Sequence, residues 1–284
     1  MNPRKIRELL GMSALRMAIF ISIVFLFLFI ILISSKGAKL ISFSFLTEPP
    51  REGMTKGGIF PAIIGTLYLT VLSVSFAFPI GVLSAIYLVE YAKENFLVTI
   101  IRTAIGTLAG VPSIIFGLFG LAIFVITFGF GVSILSGSLT LGIMVLPVII
   151  KASEEAIKAV PDSFREASYA LGATKRQTIM KVVIPTAIPS ILTGAIMSIG
   201  RAAGETAPIL FTAATFYTRR LPKSIFNEVM ALPYHIYALM TEGTSPEYQV
   251  PIAYGTSVVL LGLVLMISSV SIIIRYRMRR KKKW

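Results

Sequence analysis

Two ionisable side chains stand inside an otherwise apolar stretch, MSIGRAAGETAPILF, running from Met197 to Phe211. Arg201 and Glu205 are four residues apart, a spacing that puts both on one face if the stretch is helical. An arginine at the centre of a membrane helix costs about 2.5–3.5 kcal/mol on insertion scales, so one retained there is a candidate for function by default. Two uses fit the pair: a structural ion bridge within the helix or to a neighbour, and a charged station on a polar path. Arginine ahead of glutamate is the weaker order for a simple intrahelical bridge. A third charge, Lys151, closes another apolar run, where it serves either as an anchor at the membrane surface or as a second cation on the same path.

Bond-making chemistry finds little else to use. The chain has no cysteine and a single histidine, His235, which excludes disulfides, thiolate catalysis and a histidine metal cluster. The pattern G-x-x-x-x-G-K-[ST] is absent, so nucleotide hydrolysis by a phosphate loop is not expected of this chain. No cofactor is expected, and apart from Glu205 no buried acid–base set suggests a membrane enzyme. His235, Arg219 and Arg220 fall in a loop, where a solvated surface accounts for them better than anion collection does.

The elements that must carry these residues are membrane helices. Of 284 residues 55% are hydrophobic and 14% charged, with mean hydropathy +0.84, against about 25% charged in soluble domains. Runs long enough to cross a bilayer, about 20 helical residues each, fall near 17–35, 62–89, 99–127, 138–150, 186–215 and 252–274. The first follows Arg4, Lys5, Arg7 and Arg16, and its length favours a retained anchor behind an N-terminal segment 1–16 over a cleaved signal. The fourth is short and extends as a helix through Lys151. Gly110 and Pro112 interrupt the third, and the freed backbone groups there call for neighbouring helices rather than lipid.

With six spans and both termini inside, 19 of the 27 lysines and arginines lie in inner segments and 7 in outer ones. That bias obeys the positive-inside rule and accounts for the net charge of +14 without nucleic acid. The basic tail at 275–284, RYRMRRKKKW, reads as a stop-transfer segment that meets anionic lipid headgroups. The expected class is an all-α membrane protein, with a domain over 62–274 and a large inner insertion at 151–185.

That insertion, KASEEAIKAVPDSFREASYALGATKRQTIMKVVIP, carries two helix-start patterns. Ser163 and Glu166 have capping-box spacing, as do Thr174 and Gln177. Gly172 suits a helix stop because glycine tolerates left-handed backbone, and Pro185 marks the entry to the fifth span. The spacing predicts a helix of about nine residues, a turn, and a second amphipathic helix. A helix-turn-helix DNA reader and a plain interfacial loop are the weaker readings. The stronger one is a docking helix whose apolar side, Phe164, Ala167, Tyr169, Ala170 and Leu171, enters a partner groove.

REASYALGATKRQTIMKVVIP resembles the EAA loop of ABC importer permeases, E-A-A-x3-G-x9-I-x-L-P. Glu166-Ala167-Ser168, Gly172 and Val182 to Pro185 hold the spacing, with Ser168, Val182 and Ile184 as small departures. The resemblance implies six transmembrane helices of the type I importer fold and a coupling helix made by Glu166, Ala167, Ser168, Tyr169, Leu171 and Gly172. That helix would dock on a separate ATP-binding subunit, which fits the missing phosphate loop.

Further text narrows the family. LPVIIKASEEAIKAVPDSFREASYALGA, GRAAGETAPILFTA, PPREGMTKGGIFPAIIGTLYLT and ALPYHIYAL are similar to the A-type permease subunits of phosphate-specific importers, from about Phe45 to Leu261. The resemblance implies a second homologous permease, two ATP-binding cassette subunits, an extracytoplasmic phosphate-binding protein and the cytoplasmic (inner) membrane as setting. A guanidinium binds two phosphate oxygens through a planar fork, which gives Arg201 an anion-path reading, with Glu205 holding it between passages. That family carries an arginine where this chain has Lys151; the positive charge is kept and the bidentate fork is lost. Another oxyanion such as molybdate, sulfate or phosphonate is the alternative cargo, and an ion-coupled secondary transporter is the alternative class.

Overall fold

Backbone groups in lipid have no water to bond, so an apolar chain must satisfy them inside helices. The computed structural model describes residues 3–280 and holds twelve α-helices and one short two-stranded ladder among them. The last residues of the basic tail, 281–284, lie outside the described residues.

α1 (Pro3–Gly37) runs 35 residues, so the expected anchor at 17–35 and residues 3–16 before it form one helix, residues 1 and 2 lying outside the described residues. Its described side chains from Met12 to Leu32 are almost all exposed, and a helix apolar on every side is a lipid-facing span. α1 meets the rest of the protein at its end, where Gly37 lies against the Tyr254 carbonyl and Lys36 Nζ stands 5.0 Å over the Tyr254 ring. A short α2 (Phe43–Thr47), capped by Ser42, leads to the ladder of β1 (Pro50–Arg51) with β2 (Lys56–Gly57).

α3 (Phe60–Ile86) and α6 (Ile134–Lys158) form the centre. α3 has Pro61 in its first turn, where the missing proline N–H costs nothing, and its 27 residues rise about 40 Å. One face carries small residues about a turn apart, Ala62, Thr66, Thr70, Ser73, Ala77, Gly81 and Ala85, all buried. Small residues let two helix backbones approach, the main source of packing where lipid removes the hydrophobic drive. The hydroxyls of Thr66, Thr70 and Ser73 donate to carbonyls of their own helix. Thr66 Oγ1 also accepts from the Leu232 N–H at 2.8 Å, satisfying an orphan donor at the start of α11 (Leu232–Thr241).

The third span is not one rod. α4 (Phe96–Leu108) and α5 (Ser113–Gly120) are bent by 105° at Gly110 and Pro112, and α5 passes into a π-helical turn at 121–127. Val111 packs on the main core, while Gly110 and Pro112 are exposed on this chain. The fourth span continues as a helix to Lys158, well past Lys151. Beyond α7 (Asp162–Ala170), α8 (Lys175–Thr178), a π-helical turn at 179–183 and α9 (Ile184–Gly204) form one apolar rod of 30 residues. The expected amphipathic helix before Pro185 is therefore the start of the span, since proline is accepted in the first turn of α9. That rod ends at Gly204; α10 (Ala207–Thr212) is separate, so the expected 186–215 run is broken at Glu205. α12 (Pro246–Arg280) is the last span.

Two ends follow from the contacts. At one end residues 42–59 and 213–253 pack around Phe45, Met54, Ile59, Met230, Leu232 and Leu239, with Gln249 Nε2 donating to the Gly53 carbonyl. At the other, α7 sits on the ends of α3 and α6 and the start of α9, around Ala85, Ile157, Val160, Val183 and Ala187.

Close approach gives a stability test. A Cβ added at Gly65 would meet the Met230 carbonyl, whereas one at Gly262 would meet nothing within 4 Å. Gly65→Ala should lower stability by about 1–3 kcal/mol through overpacking and Gly262→Ala should not, measured as thermal midpoints in one detergent.

Candidate functional site

α9 buries a face of Ala187, Ile191, Gly194, Ala195, Ser198 and Ala202, with Gly194 against Ala152 of α6. Arg201, two turns on from Gly194, continues the edge of that face, half-buried, in the last turn, where a cation meets the negative end of the helix dipole. Gly204 ends the helix, and Glu205 follows in extended backbone at φ −77° and ψ 129°. The two charges thus do not share a helix face, as the spacing suggested; the chain breaks and turns Glu205 back beneath Arg201. Arg201 Nε donates to Glu205 Oε1 at 3.3 Å, and the side chains are 36% and 20% exposed. Among the described residues neither side chain has another hydrogen bond or ion pair. The second carboxylate oxygen and both terminal guanidinium nitrogens are left for other partners, and the pair as a unit is neutral.

Lys151 does not join them. Its ammonium lies along α4 near Gly106, where an added Cβ would be 3.6 Å from Nζ, and it is exposed with no ion partner among the described residues. Its neighbour Ala152 packs at Gly194, seven residues before Arg201, a separation of about 10 Å along the helix axis.

The nine residues of α7 form as the spacing predicts, with a different start. Pro161, at φ −57° and ψ 139°, occupies the N-cap position, so Ser163 falls inside the first turn and makes no cap. Asp162 instead brings negative charge to the helix start. The end is a Schellman motif: the Gly172 N–H donates to the Tyr169 carbonyl and the Ala173 N–H to that of Ser168, with Gly172 at φ +79°. The second box does form, Thr174 Oγ1 accepting from the Gln177 N–H and Gln177 Oε1 from the Thr174 N–H.

α7 presents two faces. Glu166, Ala167, Tyr169, Ala170, Leu171 and Gly172 are exposed, Leu171 by 89%. Phe164, Arg165 and Ser168 turn toward the protein, so Phe164 and Ser168 leave the expected outward set. Ser168 Oγ lies 2.8 Å from Thr178 Oγ1. Arg165, which no sequence pattern marks, is the most connected side chain of the region. Nη2 and Nε both donate to Glu90 Oε1, at 2.8 and 3.3 Å. Nη1 donates to the Val160 carbonyl at 2.7 Å and Asp162 Oδ1 at 3.1 Å, and Nη2 also to the Ile157 carbonyl at 3.1 Å. No local pattern joins residues 75 apart; the only sign is Glu90 at the end of an apolar run.

His235 also departs from expectation. It is buried within α11, outside the candidate spans, and neither ring nitrogen has a hydrogen bond among the described residues. Burial lowers its pKa from 6.5 to about 4, so it is neutral at pH 7 and collects no anions. Arg219 and Arg220 are exposed in the loop before it.

Comparison with known proteins places this arrangement. The fold is that of type I ABC importer permeases: the chain aligns with a solved bacterial ABC transporter involved in the import of the acidic polysaccharide alginate, at TM-score 0.66 and 17% identity, over 95% of this chain and 96% of that one. Residues 77–283 match the family described as binding-protein-dependent transport system inner membrane component, and the chain belongs to that family. It is 38% identical to the "Probable ABC transporter permease protein YqgI" of Bacillus subtilis, over 93% of both chains. It is 42% identical to the phosphate transport system permease protein PstA of Mycobacterium leprae, over 68% of this chain and 62% of that one.

The histidine supplies a pH test. Between about pH 4 and 6.5 the unfolded chain binds a proton at His235 that the folded chain refuses, so stability falls as pH drops through that window. Full refusal corresponds to about 3 kcal/mol. The thermal midpoint should fall from pH 7 to pH 4.5, and His235→Leu should flatten that fall.

Proposed function

We propose that the protein is a permease subunit of an ATP-driven importer of inorganic phosphate, forming half of a translocation path with a second, homologous permease. One of two ATP-binding cassette subunits would bind the exposed face of α7, the other the second permease, and an extracytoplasmic phosphate-binding protein would deliver cargo at the opposite end. The lysine and arginine bias supports both termini and α7 in the cytoplasm. The meeting of Gly37, at the end of α1, with Tyr254, near the beginning of α12, supports the start of α1 and the end of α12 lying on one side.

The observation that carries the site is the half-buried Arg201–Glu205 pair at the broken end of α9, with unused donors and an unused carboxylate oxygen. The guanidinium edge suits oxyanion oxygens. The carboxylate, which only accepts, suits an oxyanion that still carries a proton, as phosphate does at neutral pH and sulfate and molybdate do not. This favours phosphate over sulfate and molybdate. Lys151, two turns away and unpaired, is a second positive charge on the same path. Glu166, Ala167, Tyr169, Leu171 and Gly172 supply the docking surface, with Ser168 behind it.

The reconstituted complex should take up labelled phosphate only with ATP, competed by arsenate and not by sulfate or molybdate. Arg201→Ala or Glu205→Ala should stop uptake while the complex still assembles; wild-type uptake in an assembled Arg201→Ala complex would sink the site assignment. Leu171→Glu should release the ATPase subunit, lowering its co-purification about tenfold or more, as expected for an exposed apolar anchor, with membrane insertion unchanged.

A further inference from the structure

A docking helix transmits nothing unless it is fixed to the helices that must move. α7 has nine residues, and its outward face is left to the partner, so its side-chain ties to the protein are those of Phe164, Arg165 and Ser168. These three reach three different membrane helices. Phe164 packs into the cluster of Ala85, Ile157, Val183 and Ala187, contributed by α3, α6 and the rod of α9. Arg165 spans from the π-helical turn at 87–91, through Glu90, to the carbonyls of Ile157 and Val160 where α6 ends. Ser168 meets Thr178, the residue that opens the π-helical turn at 179–183 leading into α9. A fourth tie runs alongside: Lys175 Nζ stands 5.1 Å over the ring of Tyr91, next to Glu90.

The ion pair is the demanding member. Glu90 is 8% and Arg165 15% exposed, and among the described residues Arg165 is the only partner of Glu90. A carboxylate at that burial is strongly unfavourable without its cation. The guanidinium fork makes five hydrogen bonds to two carboxylates and two carbonyls, more than the three donors of an ammonium supply. A residue this constrained is over-provided for merely ending a nine-residue helix, which Pro161 and Gly172 already bound. The attachments on α3 and α9 both fall at π-helical turns, a geometry found mainly at functional places in helices.

We propose that Arg165, through Glu90 and supported by Ser168–Thr178, is the positioning residue that makes α7, α3, α6 and α9 move as one unit when the ATPase subunit moves α7. The inference rests on the proposed docking role of α7. It separates two roles: the outer face decides whether the ATPase binds, and the inner clamp decides whether binding does work in the membrane.

The test is the ratio of phosphate taken up to ATP hydrolysed in the reconstituted complex, alongside ATPase co-purification. Glu90→Gln, close in shape, and Arg165→Ala should keep the ATPase bound and hydrolysing while uptake per ATP falls about 5-fold or more, the low end of coupling between sites. Because the chain has no native cysteine, Ser168→Cys with Thr178→Cys provides the converse measurement. Oxidation should leave uptake within about 2-fold of the reduced protein, a smaller change than coupling between sites produces, if α7 and α9 stay together through the cycle. Unchanged coupling in both Glu90→Gln and Arg165→Ala, or uptake stopped by oxidation and restored by reductant, would overturn the clamp. Failure of the unaltered chain to hold an ATPase subunit would instead remove the docking role, and the clamp with it.

Discussion

The contact on which the other elements depend is the close approach of α3 to α6. In lipid, apolar side chains gain little by leaving their surroundings, so two helices stay together only where their backbones come near enough for dispersion to add up. The seam of alanine, glycine, serine and threonine along α3 permits that approach, and its hydroxyls bond within the helix rather than demanding partners across it. Gly81 against Ile149, and Gly142 against Phe76 and the Ser73 carbonyl, show how little space remains. Once α3 and α6 are joined, the ends of both are fixed, and the loops at either end inherit a rigid base.

Irregular backbone then appears where charge or a partner is needed. The break after Gly204 turns Glu205 onto Arg201. The break between α6 and α7 leaves the carbonyls of Ile157 and Val160 without their i+4 helical donors, and Arg165 donates to both. The bend at Gly110 and Pro112 is exposed on this chain, and in a bilayer such a bend is tolerated only against protein or water. That exposure leaves the bend open to the second permease proposed above.

Much of this was legible from local pattern. Apolar run length indicated the membrane helices, the run through Lys151 indicated the long α6, and Gly172 marked a left-handed stop that only glycine meets without strain. Thr174 with Gln177 made the predicted box because both partners lie within one turn. Ser163 with Glu166 had the same spacing and did not, because Pro161 takes the N-cap position and starts the helix two residues earlier. The end of α9 had its own signal, Gly204 followed by Pro208, which the apolar run around it concealed. Two features had none. Glu90 and Arg165 are joined only by the fold, and a histidine in a loop reads as solvated until α3 and α12 close over it. The candidate site was legible as residue types, but its arrangement, one neutral pair with Lys151 apart, was not.

The neutrality of that pair has an electrical consequence. In a membrane that is negative inside by about 100 mV, each negative charge carried inward costs about 2.3 kcal/mol. A path lined by bare cations would lower the anion's energy midway and hold it there, adding a well without reducing the climb. Arg201 beside Glu205 offers no such standing well; its attraction for an anion appears only as the guanidinium turns its free edge from the carboxylate. With the pair lining the path as proposed, the route at Arg201 is close to electrically silent at rest, and Lys151 is the standing positive charge further along it. The work against the voltage then falls on whatever moves the helices, and the site itself has little with which to trap the ion or let it leak back.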